Sequence, residues 1–364
     1  MRFIAFAPLA AAALAAAGAG GAVLAEPAMR ISEPRVHANL AVYFVHGPSA
    51  PGPVPLTLQE AMARGHVQVI ETGRVNELQI ENTGSEGVFI QAGDIVKGGK
   101  QDRVLTVSFV LPPGSGRVPI ASFCVEQGRW ATRGREDPAK FSSASEAMPS
   151  VAALRAMAAP PPPRAAGTEP PAGQGAQREQ RALARQADET AMKQRQVWDQ
   201  VAATQRKLSR GIGAAVAAPQ SSSSLQLSLE NERLKAARAA YIKALQPAGE
   251  KEADIVGYVV AINGRMSAAN IYPSNALFRK MWEKQLAAAV TEAIGEAPAH
   301  SPAPPAAPAP AAVSQFLAEA EKGERYERPV AAGASQEVRD ADKALFNEAR
   351  SPDGKWVHRS YLAK

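Results

Sequence analysis

Three stretches of this chain carry too few large apolar side chains to form a core, and they dictate how the remainder is divided. Ser142 to Gln177 is rich in Ala, Pro and Gly and contains the run Pro160-Pro161-Pro162-Pro163. Gly211 to Ser224 ends in four serines, and Ala297 to Ala312 alternates Ala with Pro. Burial in such segments cannot offset the entropy of ordering them, so they read as flexible linkers or loops. Only one cysteine, Cys124, is present. No internal disulfide can staple the chain, and stability must come from packing.

Between the linkers, periodicity changes twice. From about Pro34 to Ala131, runs of β-branched and aromatic residues are separated by Gly, Asn or Pro. Val36 to His46, Val67 to Glu71, Val75 to Glu81, Val88 to Gln91, Arg103 to Leu111 and Val118 to Val125 read as strands. Thr57-Leu58-Gln59-Glu60 has capping-box spacing and opens a short helix, which Gly65 ends. Gln177 to Leu208 and Leu225 to Leu245 read as helices, the second with Leu234, Ala237, Tyr241, Ala244 and Leu245 on one face. Asp254 to Ile262 and Arg265 to Tyr272 flank Asn263-Gly264, the signature of a tight hairpin turn. Ser274 then caps a helix reaching about Ile294. A helix near Ser314 to Glu321 and an extended segment, Lys355 to Leu362, follow.

No βαβ rhythm is visible, which favours an α+β fold. The expected architecture is a largely antiparallel β-sheet or sandwich, completed by the late hairpin and covered by helices, with Pro/Ala-rich disordered linkers. The implied divisions are 1–25 (leader), 26–141 (β-rich part), 142–176 (disordered insertion), 177–296 (helices and hairpin completing the same domain), 297–312 (linker) and 313–364 (helix and strand tail).

The leader reading rests on Met1 to Ala25. Arg2 precedes an uncharged run of mainly Ala, Leu, Ile and Phe, and Val23-Leu24-Ala25 supplies a cleavage site before Glu26. The run is long enough to span a bilayer, but its Ala and Gly make it only moderately apolar. Cleavage and a periplasmic or secreted location are the expectation. No cysteine follows the cut to carry a lipid, and no later segment is apolar enough to span a membrane. The net charge of +6 is spread along the chain. It lacks the basic stripe of a nucleic-acid-binding protein and leaves anionic small molecules or an anionic surface as partners.

Two segments carry chemistry. In Gly93-Asp94-Ile95-Val96-Lys97-Gly98-Gly99-Lys100-Gln101-Asp102-Arg103, paired glycines allow backbone amides to approach a ligand, and Lys97, Lys100 and Arg103 add positive charge. The spacing matches neither Walker A nor the dinucleotide fingerprint. The plainer reading is a β-turn with solvated charges and local Asp102–Arg103 pairing. In Cys124-Val125-Glu126-Gln127-Gly128-Arg129-Trp130, a strand end presents Arg129 and Trp130, suited to a planar or sugar-like ligand. Its plainer reading is a buried Cys124 with Glu126 paired to Arg129. The candidate ligand contacts are therefore Lys97, Gly98, Gly99, Lys100, Gln101, Arg103, Arg129 and Trp130. A hydrolase-type alternative uses Glu126 or Asp94 as acid or base, with Cys124 as a further candidate. The third alternative is a non-catalytic envelope protein that reaches an unknown protein partner through its long helices. Histidines 37, 46, 66, 300 and 358 form no ligand spacing, so neither a metal nor a cofactor is expected.

These two segments, with Leu56-Thr57-Leu58-Gln59-Glu60-Ala61-Met62, Val75-Asn76-Glu77-Leu78, Gln196-Val197-Trp198 and Gly257-Tyr258-Val259-Val260, resemble the ADP-ribosylglycohydrolase- and rhodanese-phosphatase-associated protein domain. The likeness covers roughly residues 30 to 295, with the Pro/Ala insertion peculiar to this chain. It implies a ligand such as ADP-ribose, another NAD-derived metabolite or a related sugar, and it carries over no catalytic residues.

Overall fold

The computed structural model describes residues 29–130, 137, 140–160, 175–298 and 306–364. The leader lies outside them. Among the described residues no helix is long and apolar enough to cross a membrane.

The fold is α+β and mostly antiparallel. Nine strands form the largest sheet. At its centre Leu40–His46 pairs with Ile255–Ile262, which turns at Asn263-Gly264 into Arg265–Ile271. Both turn residues have positive φ, as the hairpin signature requires. Every residue of the two central strands is buried, without the alternation of a half-exposed sheet. The cause is cover on both faces. On one face Phe44 and Tyr258 each lie 5.4 Å from the Trp282 ring of helix Asn275–Gly295. On the other, Tyr43, Val259, Phe346 and Tyr361 pack with Val313 and Leu317 of helix Pro310–Ala320.

The chain after residue 312 is an integral part of this sheet. Trp356–Ala363 pairs with Arg265–Ile271, and Ala344–Arg350, Ser335–Asp340 and Glu324–Pro329 extend the sheet outward.

A six-stranded sheet runs Phe141–Ala147, Asp94–Gly98, Arg103–Leu105, Arg117–Cys124, Glu77–Asn82, Val67–Glu71. A three-stranded sheet contains the parallel pair Leu56–Thr57 and Val88–Ile90, joined by Phe109–Leu111. Leu56, Ile80, Leu105 and Phe109 share the core built from these two sheets. The expected strand Arg103 to Leu111 is thus two short strands that belong to different sheets. The capping box forms as read: Thr57 accepts from the Glu60 amide while the Glu60 side chain accepts from the Thr57 amide.

Two expectations need correction. The insertion expected from residue 142 begins with folded chain. Phe141–Ala147 is a strand, and Val151–Ala158 is a helix. Ala144, Met148, Val151, Ala153 and Met157 are buried, so an apolar face was concealed in an Ala-rich composition. Residues 161–174 lie outside the described residues. The helix expected over Leu225 to Leu245 is two helices, Leu225–Leu229 and Glu232–Gly249, because Asn231 caps the second through the amides of Arg233 and Leu234.

The helix Val151–Ala158 is tied down by Glu292. One carboxylate oxygen accepts from the Val151 amide at 3.0 Å and the other from the Ser267 hydroxyl at 3.0 Å. Burial pushes the Glu292 carboxyl up to about 7 against those hydrogen bonds. The folded state therefore holds this proton more tightly than the unfolded chain, so stability falls as pH rises from about 4.5 to about 7. Urea unfolding at pH 5 and pH 8 should show wild type losing about 2 kcal/mol relative to Glu292→Gln over that interval. Equal pH dependence of the two proteins contradicts this.

Candidate functional site

The two segments singled out in the sequence leave the same end of the six-stranded sheet. Cys124 ends its strand opposite Arg103, in antiparallel register. The chain before Arg103 turns through residues 98–102, and the chain after Cys124 runs beside it, with the Val125 amide donating to the Asp102 carbonyl at 3.1 Å.

Gly98 and Gly99 have φ of 123° and 55°. A Cβ at Gly98 would lie 2.5 Å from the Lys140 carbonyl oxygen, and one at Gly99 would lie 2.2 Å from the Phe141 ring. The pair serves close approach of the neighbouring chain. It does not form the open amide cradle expected from the sequence. The Gly98 amide donates to Asp102 Oδ1 at 3.0 Å and the Gly99 amide to the Lys140 carbonyl at 3.1 Å, so both are already used.

Most of the charge is also used internally. Asp102 and Glu126 are fully buried. Arg129 Nε donates to Glu126 at 2.6 Å, its Nη2 lies 3.5 Å from Asp102, and its Nη1 donates to the Gly99 carbonyl at 3.4 Å. Asp102 also accepts from the Ser224 hydroxyl, 3.2 Å away. Lys97 is paired with Glu230 at 2.8 Å. Arg103, fully buried, donates to the carbonyl and side-chain oxygens of Gln101 at 3.1 and 3.2 Å and lies 3.6 Å from Glu71. The local Asp102–Arg103 pairing of the plainer reading is replaced by these longer-range partners.

Two groups remain at the surface. Trp130 is 44% exposed. Lys100 Nζ lies 5.2 Å from its ring centroid, and the Arg103 guanidinium 5.7 Å, both within cation–π range. Lys100 makes no salt bridge among the described residues.

The groups considered for catalysis do not converge. Cys124 is buried, its thiol is pushed up to about 11 by burial, and its sulfur contacts the Val75 carbonyl at 3.5 Å. Gln194 of the long helix Gly175–Gly211 brackets its backbone amide and carbonyl at 2.9 Å each. Asp94 is paired with Lys284 at 2.6 Å and accepts from the Gln91 amide. It opens the strand that Gly98 closes, so the length of that strand, roughly 13 Å, separates it from the Glu126 network.

The sequence reading missed two further places. A cavity of about 50 Å³ lies among Gln91, Ser108, Asn270, Gln285, Asn347 and His358, and no charged side chain lines it. His358 bonds Ser108 and Asn270 at 3.1 and 3.0 Å, and burial lowers it to about 3, so it stays neutral. The second is a group of metal-ligand type, His46, Glu252 and Asp254, with one donor atom from each within 4.8 Å of the others. Arg30 lies 3.9 and 3.5 Å from the two carboxylates and supplies the cation they need. Neither place has a local motif, since both assemble residues far apart in sequence.

The model of the ARG and Rhodanese-Phosphatase-superfamily-associated Protein domain matches residues 28–362. The chain belongs to this family. No curated protein and no solved structure matches it. The match runs well past residue 295, where the sequence likeness stopped, and takes in the C-terminal strands that complete the nine-stranded sheet. In this family member the Gly-Gly turn is a packing device. Gly98→Ala should therefore destabilise the ligand-free protein by about 3 kcal/mol in urea unfolding. Unchanged stability would restore the amide-cradle reading.

Proposed function

We propose that this domain is a binding module for an anionic ligand that carries a ribose or other sugar, of the ADP-ribose or NAD-metabolite class, at the Lys100–Trp130 surface. The observation that carries the reading is the half-exposed Trp130 ring with two cations against it. The indole offers a face for a planar or sugar ring. Lys100, with no carboxylate in salt-bridge range among the described residues, supplies the charge for a phosphate or carboxylate. Arg103 supports the ring from beneath. Lys97 and Arg129 serve the fold, since Glu230, Asp102 and Glu126 hold them.

The binding reading is preferred to the hydrolase alternative on electrostatic grounds. Glu126 and Asp94 each stand in a short ion pair, and Cys124 is protonated at neutral pH. A general acid or base needs a free, poised group, and a nucleophile needs a thiolate. Export through the Met1–Ala25 leader is part of the same proposal, with the mature chain acting as a periplasmic or secreted binding protein.

Thermal unfolding of residues 26–364 with ADP-ribose, NAD and glucose 6-phosphate tests the reading. At least one should raise the midpoint with increasing concentration, as linkage requires. Lys100→Ala and Trp130→Ala should each weaken that ligand by about tenfold. No shift with any of the three, or the same shift in Lys100→Ala, rejects it.

A further inference from the structure

A groove that neither Lys100 nor Trp130 lines opens beside the turn whose Gly73 stands next to the Lys100 ammonium. The turn Arg74-Val75-Asn76 faces the helix Gly175–Gly211 across an open groove of about 720 Å³, within the range of small-molecule sites. Val75 and Leu183 line it and are 42% and 59% exposed, which leaves apolar surface in water. Arg74 and Arg195 also line it, and among the described residues no carboxylate does. Arg195 makes no salt bridge among the described residues, whereas Arg74 has only the exposed contact with Glu77 at 3.2 Å.

The uncharged polar groups point the same way. Asn76 Nδ2 and Trp198 Nε1, from residues on opposite walls, are buried donors with no acceptor among the described residues. Buried donors without partners are uncommon and costly, at about 1–3 kcal/mol each. Gln194 on the helix wall is engaged with the Cys124 backbone at both ends of its amide, while Gln186 and Thr190 complete the polar lining. The groove thus combines apolar walls with two cations, and among the described residues no carboxylate lines it.

We infer that this groove binds a small monocarboxylate with an apolar body, its carboxylate between Arg74 and Arg195 and its hydrocarbon against Val75, Leu183 and the Trp198 ring. The apolar portion matches the exposed walls, and a single carboxylate can accept from both arginines at once.

Isothermal titration calorimetry of the purified protein with sodium octanoate tests the assignment, using octan-1-ol and octylamine as neutral and cationic counterparts. Octanoate should bind saturably with Kd below ~1 mM. The alcohol and the amine should bind at least about tenfold more weakly. Both arginines are exposed, so Arg74→Gln combined with Arg195→Gln should keep the thermal midpoint while weakening octanoate by about tenfold. Absence of saturable octanoate binding, equal binding of the alcohol, or wild-type affinity in the double variant would overturn the inference. The double arginine variant leaves Lys100 and Trp130 in place, so the ADP-ribose experiment and this one fail separately.

Discussion

The structure around the two conspicuous segments depends on one buried carboxylate. Asp102 is fully buried, and its side chain reaches three parts of the chain. It accepts the Gly98 amide across its own turn, stands 3.5 Å from the Arg129 guanidinium beyond the neighbouring strand, and receives the Ser224 hydroxyl that also caps helix Leu225–Leu229. A charge taken out of water at this depth is tolerated only when such partners surround it. The same requirement explains why Arg129 turns inward and why Glu126 lies beside it.

That arrangement redefines the charged cluster. A list of Lys97, Lys100, Arg103 and Arg129 reads as an anion site, yet three of the four have carboxylate partners from distant positions. The positive charge that remains available is concentrated at Lys100, next to an indole ring held over Arg103. The groove beside helix Gly175–Gly211 has the opposite history. Among the described residues its arginines have no carboxylate partner beyond the exposed Glu77, and Val75 and Leu183 leave apolar surface on its walls.

Features encoded locally were legible in the sequence. The Thr57–Glu60 capping box, the Asn263-Gly264 turn and the Ser274 cap each depend on neighbours within a few residues, and each forms as read. The family was legible through its two motifs, and the α+β class through the absence of a βαβ rhythm. Strands Glu324–Pro329 and Ser335–Asp340 were not legible, because charged residues interrupt their apolar pattern. They are stabilised across the sheet, as by Arg325 with Glu337 at 2.9 Å. The folded part of the insertion was hidden by small residues that become core only against a neighbouring strand and helix. In the site, the residue types were legible, but the ion-pair partners Glu71 and Glu230 and the Ser224 hydroxyl were not, since no local pattern marks a long-range contact.

The claim that Asp102 organises this end of the molecule is tested most directly by urea unfolding of Asp102→Asn at pH 7. The substitution keeps the shape and one acceptor while removing the charge opposite Arg129. The account predicts a loss of about 3 kcal/mol, the cost of leaving a buried ion pair broken. Stability within about 0.5 kcal/mol of wild type, the range of an ordinary surface substitution, would contradict it.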